Sequence, residues 1–198
     1  GSGETTLVKL AAGYATFVNG GKAVKPTLID RIQDRWGQTI WRYDDRACPE
    51  CNAESWRNQP EPSLPPDDRK QIIDPFTAYQ MTSMMEGVIQ RGTGAVIRQI
   101  VPNVPMAGKT GTTNDERDAW FVGFTPDLVV GVFIGYDTPR PMGKGQTGGG
   151  IAAPIFGHFM KAALAGKRAV PFRIPSGIRL VRVNLRTGLR AVGGESDT

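Results

Sequence analysis

The run Ala107-Gly108-Lys109-Thr110-Gly111-Thr112-Thr113 concentrates the residue types that do chemistry. A lysine beside glycines suggests a phosphate-binding loop. That motif requires a glycine at position 103, where Asn103 stands, and a helix directly after the lysine. Gly111, Thr112 and Thr113 are poor helix formers, and a strand pattern follows them. A second reading is an edge strand lining an acyl-transfer site. Lys109 then supplies a fixed positive charge near a serine nucleophile and a substrate carboxylate. Thr110 and Thr112 lie two apart, so their hydroxyls share one face and can bind that carboxylate. Gly111 lets a substrate backbone approach closely. The Thr112 backbone N–H serves as one oxyanion donor, a contribution of roughly 3–4 kcal/mol to the barrier. Strand alternation sets Lys109 on the face opposite the threonines, so its stem must reach around the strand edge. The plain alternative is an ordinary turn before a strand, since a bare Lys-Thr-Gly tripeptide is common.

The elements that must position this run follow from pattern. Leu7, Leu10, Ala11, Tyr14, Ala15 and Val18 recur at helical spacing, which predicts a helix over 4–19 stopped by Gly20-Gly21. Residues 27–43 read as a hairpin turning at Trp36-Gly37. Residues 44–70 carry five prolines and read as an irregular polar loop. Asp74 followed by Pro75 predicts a helix over 75–91, ended by Gly92-Thr93-Gly94. Strands over 106–113, 118–125 and 128–137 are joined by connections too short for anything but antiparallel neighbours, so they form a meander. A glycine-rich stretch, 138–150, precedes a helix over 151–165 with Pro154 in its first turn. Trp120 and Phe121 read as core behind the central run. A small hairpin over 179–192 turns at Thr187-Gly188. The class is α+β, an antiparallel sheet flanked by helices.

Composition removes several kinds of site. The 198 residues include one histidine, His158, through which any Ser-His-Asp triad or histidine metal site would have to run. It falls among Phe156, Phe159 and Met160 in the last helix, where a packed or surface role is expected. The two cysteines, Cys48 and Cys51, cannot make a four-thiolate zinc centre. Their Cys-x-x-Cys spacing leaves a redox pair, half of a zinc site or a local structural disulfide open. The longest apolar stretch, Leu128 to Tyr136, falls short of the ~20 residues that span a bilayer. No signal peptide is visible, and Gly1-Ser2 is consistent with a cloning scar on an excised fragment. The net charge is +5, but residues 1–137 hold 14 basic and 17 acidic groups, whereas 138–194 hold ten basic groups and no acid. The functional reading of that stretch is an anionic-surface footprint. The groups are thinly spread with no aromatic ladder among them, which favours a solvated face and no nucleic-acid partner.

Longer runs add a resemblance. Gly87-Val88-Ile89-Gln90-Arg91-Gly92-Thr93-Gly94, Ala107 to Asn114, Asp118 to Pro126, Gly131 to Asp137, Gly148-Gly149 and Ala152 to Phe156 resemble the transpeptidase domain of class A penicillin-binding proteins. So do Gly3 to Leu7 and Ala15 to Gly21 upstream. The resemblance covers residues 3–166, which suggests a C-terminal portion of that domain over 1–166 and a basic tail over 167–198. It implies a partial penicilloyl-serine transferase fold, D,D-transpeptidation of peptidoglycan stem peptides and acylation by β-lactam antibiotics, with no cofactor or metal. It carries catalytic roles onto Lys109 and Thr112, and substrate binding onto Lys109, Thr110, Gly111 and Thr112. It also implies a periplasmic location on the inner membrane, held by an anchor outside this chain, where a Cys48–Cys51 disulfide becomes the favoured reading.

The chain departs from the family at two motifs. Its six serines are Ser2, Ser55, Ser63, Ser83, Ser176 and Ser196. None has lysine three residues on, and none has asparagine two residues on. The nucleophile motif Ser-x-x-Lys and its serine-asparagine companion are therefore expected in an N-terminal remainder of the same domain, and this piece alone is expected to be inactive. The rival is a non-catalytic basic module that binds an anionic polymer or partner surface through 138–194.

Overall fold

Helix α1, Leu7–Val18, begins where the Thr6 hydroxyl accepts the Lys9 N–H at 3.3 Å. The structure is a computed structural model that describes residues 4–46, 48, 55, 66–184 and 186–190. α1 stops at Gly20 and Gly21, whose φ angles of 68° and 84° are open to glycine at no steric cost. A Cβ on Gly21 would strike the Ile73 carbonyl, so this glycine also admits the chain returning before the next helix. Strands β1, Arg31–Gln33, and β2, Thr39–Arg42, form the expected hairpin. Asp34 braces its turn by accepting the Trp36 and Gln38 N–H groups at 2.9 Å. Every residue of both strands is exposed, so the hairpin stands outside the core.

Helix α2, Pro75–Gln90, starts as its cap predicts: Asp74 accepts the Phe76 and Thr77 N–H groups, each at 3.0 Å. A short helix, α3, Val96–Ile100, follows. Three strands then run in succession: β3, Ala107–Thr112; β4, Asp118–Phe124; and β5, Val129–Gly135. They pair antiparallel in the order β3-β4-β5, which is the expected meander. The register sets Thr110 opposite Phe121 and Thr112 opposite Ala119. A π-helical turn over Gly148–Ala152 leads into α4, Ala153–Ala163.

Apolar side chains bury the sheet from both faces. On one, Phe121 and Ala119 pack with Ile97 of α3 and with Phe156 and Met160 of α4. The Phe121 and Phe156 rings lie 4.8 Å apart. On the other, Ala107 and Phe124 meet Met85 of α2, with Tyr14, Phe17 and Val18 of α1 alongside. Phe121 is core, as expected. Trp120 is not: it points to the α1 face, half-buried, 4.4 Å from the Phe133 ring. Neighbours in a strand face opposite ways, so both could not enter one core.

Beyond Gly166 the chain runs back across the α1–α2 layer. Phe172 enters it with its ring 5.7 Å from that of Phe124. Further on, the described residues of the expected hairpin over 179–192 show one bridge, Val183 with Arg190, with Gly188 at φ 70° between them. Residues 191–192 lie outside the described part. His158 is exposed on α4. No described helix is long and apolar enough to cross a membrane.

The Phe172 contact gives a stability prediction. Phe172→Ala is expected to destabilise the protein by about 3 kcal/mol through lost burial and the cavity left behind. Arg179→Ala, exposed beyond it, is expected to change stability by less than about 0.5 kcal/mol. Guanidinium unfolding followed by tryptophan fluorescence separates the two.

Candidate active site

Among the described residues, β3 is the outermost strand of its sheet and is paired on one side only. Alternation decides which backbone groups remain free. The Thr113 N–H bonds the Asp118 carbonyl at 3.1 Å, so Thr113 turns toward β4. Gly111 and Lys109 then also turn toward β4, while Thr112 and Thr110 present their N–H and C=O to the open edge. The Thr110 carbonyl does lie on that side, where it accepts the Lys109 ammonium at 2.9 Å.

The side chains resolve the difficulty that alternation raised. Lys109 shares the face of Ala107, on the α1–α2 side, and Thr110 shares the face of its partner Phe121. The lysine stem wraps the open edge, so its ammonium reaches the Thr110 carbonyl and comes within 3.4 Å of the Thr110 hydroxyl. A positive charge and two hydroxyls thus gather at one edge although they leave the strand on opposite faces. No helix follows Lys109, which disposes of the phosphate loop.

Both hydroxyls are held from behind. Thr110 Oγ1 lies 2.8 Å from Thr93 Oγ1, in the turn that ends α2. Thr112 Oγ1 accepts the Gly148 N–H at 3.0 Å, from the first residue of the π-helical turn. The three glycines there admit backbone that no side chain would. A Cβ on Gly148 would strike the carbonyl oxygens of Trp120 and Gly111, and one on Gly149 would lie 2.6 Å from that of Thr93.

A second bracket steadies the loop that leads to this turn. Between β3 and β4, Asp115 and Glu116 both adopt positive φ, 59° and 52°. That conformation costs a non-glycine residue about 1–3 kcal/mol, and here it has a use. The Glu116 carbonyl accepts the Met142 N–H and its carboxylate accepts the Gly145 N–H, both at 3.1 Å.

The described serines offer no nucleophile with a base beside it. Ser55 and Ser176 are exposed, away from regular structure. Ser83 is exposed on α2, with Glu86 one turn on; burial pushes the Glu86 carboxyl up. Ser2, Ser63 and Ser196 lie outside the described residues. The edge can therefore hold an anion and polarise a carbonyl, but the described serines place no attacking group there. Cys48 is disulfide-bonded, and Cys51 lies outside the described residues. Sequence reasoning missed Thr93, Glu116 and Gly148 as parts of the site. Their signals were present only as a helix-ending Gly-Thr-Gly, a turn and a glycine run.

Comparison with known proteins decides the family. The penicillin binding protein transpeptidase domain matches residues 2–161. The chain belongs to that family. Penicillin-binding protein 1A of Rickettsia prowazekii (strain Madrid E) is 43% identical over 189 residues, 95% of this chain and 24% of that protein. Penicillin-binding protein 1A of Neisseria gonorrhoeae is 40% identical over 178 residues, 90% of this chain and 20% of that protein. The chain thus spans about a quarter or less of these relatives. Among solved structures, penicillin-binding protein 1A of Haemophilus influenzae superposes with a TM-score of 0.77 at 28% identity, over 97% of this chain and 31% of that one. The imipenem acyl-enzyme complex of penicillin-binding protein A from M. tuberculosis gives 0.54 at 25% identity, over 81% and 31%. The α+β fold is that of the penicillin-binding transpeptidases, as the resemblance implied.

Two outcomes follow from the brackets behind β3. Gly148→Ala is expected to destabilise by about 2–3 kcal/mol, since backbone rather than a flexible side chain meets the new methyl. Glu116→Ala is expected to speed amide hydrogen exchange several-fold at Gly145, which loses its acceptor. Met142, held by a main-chain oxygen, is expected to change less.

Proposed function

We propose that this chain supplies the lysine-threonine wall of a serine D,D-transpeptidase that cross-links peptidoglycan stem peptides. The single observation that carries this reading is the open edge of β3, with Lys109, Thr110 and Thr112 gathered on it. An extended peptide can lie along that edge as an added strand, and Gly111 leaves room for it. The Thr110 and Thr112 hydroxyls and the Lys109 charge bind its terminal carboxylate. The Thr112 N–H points at the position where the carbonyl oxygen gathers charge.

The chemistry is acyl transfer in two steps. A serine oxygen from the N-terminal remainder of the domain attacks the penultimate carbonyl. The C–N bond breaks, and the departing amine takes the proton that the serine gave up. The amine of a second stem peptide then attacks the ester, the serine oxygen leaves and recovers a proton, and the cross-link remains. A β-lactam enters by the same first step, but its amine stays tethered after the ring opens. The M. tuberculosis acyl-enzyme structure, for its own protein, is consistent with that outcome. The site faces the periplasm, on a protein anchored in the inner membrane through a segment outside this chain, where a Cys48–Cys51 bridge would persist. It needs no cofactor or metal.

The basic stretch 138–194 does not require a polymer partner. Among the described residues, its cations are spread over the Gly-rich loop, α4 and the tail, and Arg140 stacks 4.0 Å from the Tyr136 ring. A polymer binder would lose affinity steeply with salt; weak, salt-insensitive binding is expected here.

Two experiments test the enzymatic reading. In the longer protein, Lys109→Ala is expected to slow both transpeptidation and β-lactam acylation by about 10²-fold, the usual loss on removing one electrostatic contact to the transition state. Unchanged acylation in a folded variant would remove Lys109 from the mechanism. The 198-residue chain alone is expected to carry no label on a denaturing gel after incubation with fluorescent penicillin, because none of its six serines has lysine three residues on and no described serine has a base beside it. A band that survives boiling would reveal a nucleophile within this chain.

A further inference from the structure

We infer that Thr93 is a positioning residue that makes the site selective for an anionic acyl donor, by fixing the direction of the Thr110 proton. The inference rests on the proposed reading of Thr110 as a carboxylate-binding hydroxyl. Thr93 stands in the Gly92-Thr93-Gly94 turn, seventeen residues before Thr110 in sequence, and its own backbone is pinned. The Gly94 N–H bonds back to the Val88 carbonyl at 3.0 Å. A Cβ on Gly94 would press on the Phe121 ring at 3.2 Å, and Gly149 lies close over the Thr93 carbonyl. The turn is thus clamped between α2, the core and the π-helical turn, although the Thr93 side chain is itself exposed.

The proton count makes the argument. A threonine hydroxyl has one proton to donate and two lone pairs to accept with. At 2.8 Å either hydroxyl of the Thr93–Thr110 pair can be the donor. If Thr110 donates to Thr93, it has no proton for a ligand. If Thr93 donates, Thr110 Oγ1 receives Thr93 on one side and the Lys109 ammonium, 3.4 Å away, on the other. Its proton is then left to point out over the open edge. A carboxylate selects the second arrangement, because a hydrogen bond to an ionised acceptor is roughly twice as strong as a neutral one. An uncharged ester at the same place gains far less from it. Thr93 therefore acts through Thr110 and adds discrimination without touching the ligand.

The test uses the longer protein and two probes, benzylpenicillin and its methyl ester. Second-order acylation rates are measured for wild type, Thr93→Val and Thr93→Ser. Thr93→Val keeps the shape and removes the donor. It is expected to slow benzylpenicillin by about three- to tenfold, the worth of one hydrogen bond, and to change the ester by less than about twofold. Thr93→Ser is expected to restore the benzylpenicillin rate to within about twofold of wild type. Equal losses on both probes that serine does not rescue would show a purely structural turn and overturn the inference, as would an unchanged benzylpenicillin rate in Thr93→Val. A wild-type protein that neither probe acylates would overturn the transpeptidase reading itself, and this inference with it.

Discussion

The site depends on a strand that is hydrogen-bonded on one side only. β4 holds β3 in register and leaves the backbone groups of Thr110 and Thr112 facing outward. An unpaired edge is ordinarily a liability that proteins cover or blunt. Here Lys109 blunts it in part, by folding its ammonium over the Thr110 carbonyl, and that same placement brings the positive charge to the edge. Had β3 been a central strand, the threonines would have had no free backbone and Lys109 no edge to wrap. The order of three strands, rather than the tripeptide, leaves this stretch open to the ligand proposed for it.

Preorganisation comes from behind the strand and from backbone. The Gly148 N–H and the Thr93 hydroxyl hold the two threonine side chains, and glycines let those partners come near enough. The positive φ angles at Asp115 and Glu116 belong to the same arrangement, since Glu116 grips the loop that delivers Gly148. A cost of conformation at the tip of the β3–β4 connection is thus offset by order in the loop through Met142 and Gly145. The wall that results has its donors fixed in place, the preorganisation that the proposed acyl transfer would draw on.

Much of this was legible in the sequence because it is locally determined. Asp74-Pro75 announces the start of α2, and its cap forms as its residue types require; helical spacing places α1, which starts at Leu7 behind the Thr6 cap, three residues after the expected start. The meander is legible because its connections leave no other topology. α3 was not legible: five residues, three of them β-branched, helical only because Ile97 is fully buried against the sheet and α4. Nor could alternation alone place Lys109, whose reach depends on the strand being an edge. Thr93 reads in sequence as a residue between two helix-ending glycines, and its meeting with Thr110 depends on how α2 packs beside β3. The hairpin over 27–43 was legible as a hairpin, whereas the exposure of Ile32, Ile40 and Trp41 is a property of the fold that pattern alone does not carry.

Amide hydrogen exchange at single residues of β3 tests the central claim most directly. In the longer protein without ligand, the Lys109 and Gly111 amides are expected to be protected by β4, and the Thr112 amide to exchange quickly. After acylation by a penicillin, the Thr112 amide is expected to become protected while Lys109 and Gly111 stay as they were. A Thr112 amide already protected in the free protein, or one that acylation leaves unchanged, would contradict an open edge that receives the acyl donor.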